Sequence, residues 1–287
     1  MNENLGYLSN YALSIRCHSL ASIYHAGSGH PGGVLSCADL LAYLMSREVK
    51  WKPEKNGYRQ ENRFVLSKGH ACPALYAAAA EQGLIPKQDL FALRKQDSLL
   101  QGHPHAGCLP WVETSTGSLG QGFSVAIGMA LGLRYKKELT RTYVMLGDGE
   151  LQEGEIWEGA MFAAHHKLDN LCAIIDYNKM QSDDLNENII GLEPLVQKWE
   201  AFNWHAIEID GHDFEQIGKA VEEAKVIKGK PVVIIAHTIK GKGVSYMEGS
   251  PLWHGSVKLS TEELSRALGD LGVMEDEIGR YINGEVR

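Results

Sequence analysis

Residues 142–180 read TYVMLGDGELQEGEIWEGAMFAAHHKLDNLCAIIDYNKM. The stretch opens on an apolar run, TYVML (142–146), and closes on another, LCAIID (171–176), with helical spacing over 150–166 between them. Both runs are continuous rather than alternating, the pattern of strands buried on both faces. A strand, a helix and a second such strand make a βαβ unit, and the two strands are then parallel. The same grammar extends outward. RFVLS (63–67), HAIEID (205–210) and PVVIIAHT (231–238) read as further strands, and 71–81, 120–137 and 214–227 as helices between them. Upstream, apolar residues at helical spacing predict a helix to about residue 24 and a second over 34–45. The tail, about 260–287, reads as two short polar helices. The expected fold is α/β, a three-layer, doubly wound parallel sheet with helices on both faces.

Size and charge narrow the partners. The 287 residues, 44% of them hydrophobic, can bury a large core and lie near the upper size of one domain, so a single domain over 1–287 is expected. A net charge of −8 without a basic cluster argues against nucleic acid. No stretch approaches a spanning length, and the polar N-terminus argues against a membrane anchor. Cys17, Cys37, Cys72, Cys108 and Cys172 are odd in number and form no CxxC pair, as expected of reduced thiols in a cytoplasmic protein.

The chemistry concentrates in GDGELQEGEIWE (147–158), an acidic turn with no lysine or arginine. Such a turn does not suit a bare phosphate. No GxxxxGK[ST] occurs, and GSGHPG (27–32) matches a dinucleotide fingerprint in letters only, because it follows a helix instead of a strand. Asp148 follows the 142–146 strand and Asn178 follows the next strand, so both stand at carboxyl ends, where α/β sheets bind ligands. A carboxylate with a neutral carboxamide is a hard-oxygen pair suited to Mg²⁺, with Ca²⁺ or Mn²⁺ as substitutes, and the ion can join an acidic turn to an anionic ligand. Taken alone, GDG also fits an ordinary turn with Asp148 as a helix N-cap.

The 142–180 stretch resembles the metal and diphosphate motif of thiamine diphosphate enzymes. SGHPGG (28–33), RFVLSKGHA (63–71), QGHPH (101–105), STGSLGQG (115–122), EIDGHD (208–213) and KGKGVSYMEGSPLWHG (240–255) narrow the resemblance to transketolase, over nearly the whole chain. It is similar to the N-terminal, diphosphate-binding domain of that family, the thiamine-diphosphate-binding (PP-type) fold, as found in two-subunit transketolases.

The resemblance implies roles position by position. Asp148, the Asn178 side chain and the Met180 main-chain oxygen become metal ligands. His70, Gly147 and Gly149 lie on the diphosphate, and Gly117 and Leu119 near the pyrimidine. His30, His103 and His254 line the substrate channel, where imidazoles hydrogen-bond a ketose and move protons. Glu153, and less strongly Glu158, match carboxylates of a proton-sharing cluster at the dimer interface, beside the cofactor. Glu150 is explained by the helix dipole alone. His18, His165 and His166 read as helix-face residues; His25 and His105 receive no role. Three positions depart from the usual pattern without touching a ligand of the metal: His237 for lysine, Lys68 for asparagine, and QSDD without its glycine.

The implied activity is transfer of a two-carbon ketol unit from a ketose, expected as a sugar phosphate, to an aldose. The glutamate that activates the aminopyrimidine belongs to the family's next domain, and nothing after Gly255 resembles that domain. The expected partner is a separate C-terminal, pyrimidine-binding subunit in an α2β2 assembly. Two other readings compete: an α-type subunit of a 2-oxo-acid decarboxylating complex, which shares GDG and Asn but not the set of histidines, and a cofactor-binding module without catalysis.

Overall fold

The structure, a computed structural model, describes residues 3–54, 57–182 and 184–285. The helices are α1 (Glu3–Ala26), α2 (Pro31–Ser36), α3 (Ala38–Arg47), α4 (Cys72–Glu81), α5 (Gln121–Tyr135), α6 (Gly154–His165), α7 (Asn186–Ile189), α8 (Leu195–Ala201), α9 (Phe214–Val226), α10 (Thr261–Asp270) and α11 (Glu275–Asn283). The strands are β1 (Trp51–Glu54), β2 (Gly57–Gln60), β3 (Arg63–Leu66), β4 (Thr142–Gly147), β5 (Leu171–Tyr177), β6 (Met180–Gln181), β7 (Asp184–Leu185), β8 (His205–Asp210) and β9 (Val232–His237).

Among the described residues the central sheet has five strands in the order β3-β4-β5-β9-β8, every pair parallel. Its apolar runs are continuous because each strand feeds two cores in alternation. Tyr143, Met145, Cys172, Ile174, Val232 and Ile234 point into one core with α1, α3, α4 and α9. Val144, Leu146, Ala173, Ile175, Val233 and Ile235 point into the other, against α5, α6 and α8. Period-2 side-chain geometry with both faces covered leaves no polar position in the middle of β4 or β5.

Two details differ from the sequence reading, and the two helices expected in the tail are present. The helix expected over 34–45 starts earlier, with Pro31 in its first turn where no N–H is needed, and breaks at Cys37 into α2 and α3. The helix expected from 150 begins instead with a separate 3-10 turn, Gly149–Gln152, before α6. In the polar tail, Ser260 and Glu263 form a capping box for α10, whose Leu264, Ala267 and Leu268 are fully buried. Burying a leucine stabilises by roughly 1.5–3 kcal/mol, so α10 is stapled to the core by a narrow apolar stripe. Among the described residues no helix is long and apolar enough to cross a membrane.

The consequence for function lies in strand direction. β3, β4, β5 and β9 are adjacent and parallel, so the residues leaving them, Lys68, Asp148, Asn178 and Lys240, are delivered to one edge.

Candidate functional site

At that edge an open cavity of about 770 Å³ is walled by the loops after all four strands. β4 and β5 supply Gly147, Asp148, Gly149, Asn178 and Met180; the 3-10 turn after β3 supplies His70. The turn before α5 adds Gly117 and Leu119, the loop before α2 adds His30, and the segment after β9 adds His254. His103 and Glu153 do not line it. The His103 ring is exposed and lies beside Gly117, whose Cβ would meet His103 Cδ2 at 3.3 Å. Glu153 is exposed at the start of α6.

The acidic turn is held by its own backbone. Asp148 Oδ1 accepts the Gly149 N–H at 2.8 Å and Oδ2 accepts the Lys179 N–H at 2.5 Å, which binds the β4 turn to the loop after β5. A Cβ at Gly149 would lie 2.9 Å from Gln181 Cβ, so that approach requires glycine. Asn178 Oδ1 accepts from Met180 N at 3.2 Å, and its Nδ2 lies 3.5 Å from Asp176 Oδ2. Burial, reinforced by Asp176, pushes the Asp148 carboxyl up to about 6.

These residues fit a hard divalent cation. Asp148 is 3% exposed and its charge is disfavoured where it stands, which a cation would reverse. The donors, one carboxylate, one carboxamide oxygen and the Met180 carbonyl oxygen, leave room for water and phosphate oxygens. One carboxylate among neutral oxygens suits an ion shared with an anionic ligand; among the described residues no group of three or more His, Cys, Asp and Glu side chains could hold a metal.

Above the turn stand three imidazoles, with ring centroids 5.1 Å apart for His30 and His70, 5.5 Å for His70 and His254, and 6.0 Å for His30 and His254. All are held neutral. Burial first, then nearby cations, lowers His30 to about 4 and His254 to about 3, and His70 well below its usual value. Burial and Arg94 also lower His103. His30 Nδ1 is buried without a hydrogen-bond partner, an atom prepared for a ligand.

Three residues that sequence reasoning missed complete the site. Lys240, 2% exposed, donates from Nζ to Met180 O at 3.2 Å and to His254 Nδ1 at 2.6 Å. Burial lowers it to about 8, against the opposing pull of Asp148. Lys68 donates to Gly33 O at 2.9 Å and pairs with Asp176, whose Oδ2 also accepts from Ser36 Oγ at 2.6 Å. Lys68 bonds none of the proposed ligands directly; it stands beside them, since Asp176 neighbours the Asn178 amide and Lys68 lines the cavity. Glu150 is no surface dipole partner. At 2% exposure it accepts Ser67 Oγ at 2.5 Å and Gly120 N at 2.9 Å on Oε1, and Gly147 N at 3.0 Å on Oε2. It ties the turn before α5 to the end of β4. The signal was available in part: a glutamate one residue past GDG faces the β3 and α5 turns once the strands are parallel.

Comparisons with known proteins agree with this geometry. The family described as "Transketolase, thiamine diphosphate binding domain" matches residues 9–280. The chain is 45% identical to the 6-deoxy-6-sulfo-D-fructose transketolase subunit of Clostridium sp. (strain MSTE9), over 94% of this chain and 98% of that protein. It is 38% identical to an apulose-4-phosphate transketolase subunit of Phocaeicola vulgatus, over 92% and 93% respectively. The transketolase structure from Campylobacter jejuni superposes with a TM-score of 0.85 at 32% identity, covering 97% of this chain and 46% of that one. The chain spans 40% of the length of longer relatives named simply transketolase. With the family matched over most of its length and the fold shared with solved transketolases, the chain belongs to the transketolase family, as its N-terminal, thiamine diphosphate-binding part.

Proposed function

We propose that this chain transfers a two-carbon ketol unit from a ketose to an aldose, using thiamine diphosphate and Mg²⁺, together with a second polypeptide that supplies the pyrimidine-binding half of the site. The observation that carries the reading is the convergence of Asp148, Asn178 and the Met180 carbonyl with His70, His30 and His254 in one cavity at the carboxyl ends of β3, β4, β5 and β9. Relatives that span the same length are named as subunits, which supports the separate partner. An α2β2 assembly, sugar phosphate substrates and a cytoplasmic location belong to the same proposal. Exposed Glu153 suits a contact made outside this chain, and five free thiols suit a reducing compartment.

Thiamine diphosphate, when bound, supplies the electron sink that lets the bond between C2 and C3 of the ketose break. The rest falls to this chain's own residues. Asp148, Asn178 and Met180 O would hold the cation, and the Gly149 backbone and His70, which line the same cavity, would meet the diphosphate. Lys240 donates to His254 Nδ1, so the His254 proton sits on Nε2, where it serves as a donor to a sugar oxygen. His30, neutral at physiological pH and with its Nδ1 unpartnered, can accept or donate according to its tautomer, while neutral His254, whose Nδ1 accepts from Lys240, presents a donor. Calorimetric titration with thiamine diphosphate, with and without Mg²⁺, tests the reading. Binding that needs the ion is expected; metal-independent binding of equal strength would overturn the assignment.

A further inference from the structure

The Asp210-Gly211-His212-Asp213 turn after β8 does not line the cavity, yet each of its residues is committed to a contact. Asp210 Oδ1 accepts the His212 N–H at 2.8 Å, and Asp213 caps α9 by accepting from Glu215 N and Gln216 N. Gly211 N donates to His237 O at 2.8 Å, and a Cβ there would lie 2.5 Å from Thr238 Cγ2, so only glycine lets the turn rest on the chain leaving β9. His212 then reaches in two directions. Its Nδ1 lies 2.7 Å from Asp39 Oδ2 on α3, and its Nε2 accepts the Ile239 N–H at 2.9 Å. Accepting on Nε2 places the imidazole proton on Nδ1, donated to Asp39. Asp39 is itself fixed by Arg16 of α1, whose Nη1 and Nη2 donate at 3.1 and 2.5 Å and whose Nε donates to Leu35 O at 3.3 Å.

The residue after Ile239 is Lys240, the ammonium that stands in the cavity between Met180 O and His254 Nδ1. Its loop is held by Thr238 Oγ1 on Asp176 at 2.5 Å, by Gly241 N on Gly32 O at 3.0 Å, and by His212 on the peptide N–H between them. Of these, the His212 tie anchors the loop to the helical layer of α1 and α3. Arg16, Asp39 and His212 have side chains 10%, 9% and 12% exposed, so the tie is shielded from competing water.

We propose that His212 is a positioning residue for Lys240: by gripping Ile239 N–H from an imidazole braced on Asp39 and Arg16, it sets where the Lys240 ammonium stands against Met180 O and His254. The proposal rests on the cavity being the thiamine diphosphate site, and it gives the EIDGHD segment a role at a distance from the reacting atoms.

The test compares three variants of the full chain. His212→Asn keeps a carboxamide that can donate to Asp39 but falls short of Ile239. His212→Gln carries a donor and an acceptor at longer reach. Asp213→Ala removes the α9 cap in the same turn and serves as the structural control. Two readouts are taken: backbone amide exchange across 238–243 in the chain, and Mg²⁺-dependent thiamine diphosphate affinity in the chain assembled with its partner. His212→Asn is expected to speed exchange in 238–243 and to weaken affinity about tenfold, as loss of a supporting partner behind a ligand site does. His212→Gln should recover both, and Asp213→Ala should lower Tm while moving neither. In the wild type, the Ile239 amide should be among the slowest to exchange in this segment. Rapid exchange of that amide, an unchanged His212→Asn, or an Asp213→Ala that reproduces both effects would overturn the proposal. If the wild-type assembly bound no thiamine diphosphate, the transketolase reading would fail, and amide exchange would still decide whether the grip exists.

Discussion

The ammonium of Lys68 and the carboxylate of Asp176 form an ion pair beneath the cavity, with side chains 2% and 0% exposed. It joins the end of β3 to the end of β5. Burial is the largest single influence and alone would lower the lysine and raise the acid; each is driven the opposite way because the partner's charge and the hydrogen bonds to the pair together outweigh burial. Removing one partner strands the other. Lys68→Met and Asp176→Asn should each cost about 3–5 kcal/mol in urea denaturation of the chain, and the double variant less than the sum. Strict additivity would show that the pair is not coupled.

Asp148 differs from Asp176 because no lysine pairs with it, and its carboxyl is pushed up to about 6. A proton then competes with the cation, so Mg²⁺-dependent thiamine diphosphate affinity should fall as pH drops through about 6. Asp148→Ala should weaken that affinity by about a hundredfold, ~3 kcal/mol, with little change in circular dichroism. Calorimetry between pH 5 and 8 reads both effects, and a variant with wild-type affinity contradicts the ligand assignment.

His30 and His254 titrate near 4 and 3 in the folded chain, against 6.5 for an ordinary imidazole, because burial and then Arg94 and Lys240 disfavour their cations. Between about pH 6.5 and 4 the unfolded chain therefore binds protons that the folded chain refuses, and stability is lost as pH falls. His254→Asn, which cannot titrate, should flatten the fall of Tm with pH over this window. A slope identical to wild type would mean that His254 is not held neutral by the fold.

Glu150 collects three donors from three segments, Ser67, Gly120 and Gly147. Glu150→Ala leaves them without an acceptor, at about 1–3 kcal/mol for each buried group, so a loss of at least about 3 kcal/mol is expected in denaturant. Glu150→Gln keeps an acceptor oxygen and should lose less. Equal stability of Glu150→Ala and wild type would return the residue to the role of a simple dipole partner.

The sheet was legible because β4 and β5 carry unbroken apolar runs, which only a strand covered on both faces tolerates. Asp148 and Asn178 were legible for a related reason: strand ends in parallel sheets are where ligands meet, and both residues sit one step past a strand. Lys240 was not, because a lysine in a glycine-rich loop reads as solvated, and only its 2% exposure reveals a side chain spent inside the cavity. Glu150 was misread because a helix dipole explains any early glutamate without asking which turn it faces. The break at Cys37 escaped because local periodicity carries no record of the buried packing of α2.

The central claim is that this chain is the diphosphate half of a transketolase, and the most direct measurement is a coupled ketol-transfer assay at matched thiamine diphosphate and Mg²⁺, with and without a pyrimidine-domain partner chain. Turnover only when both chains are present is the result predicted. Full activity from this chain alone, or none with a partner that binds it tightly, would contradict the account.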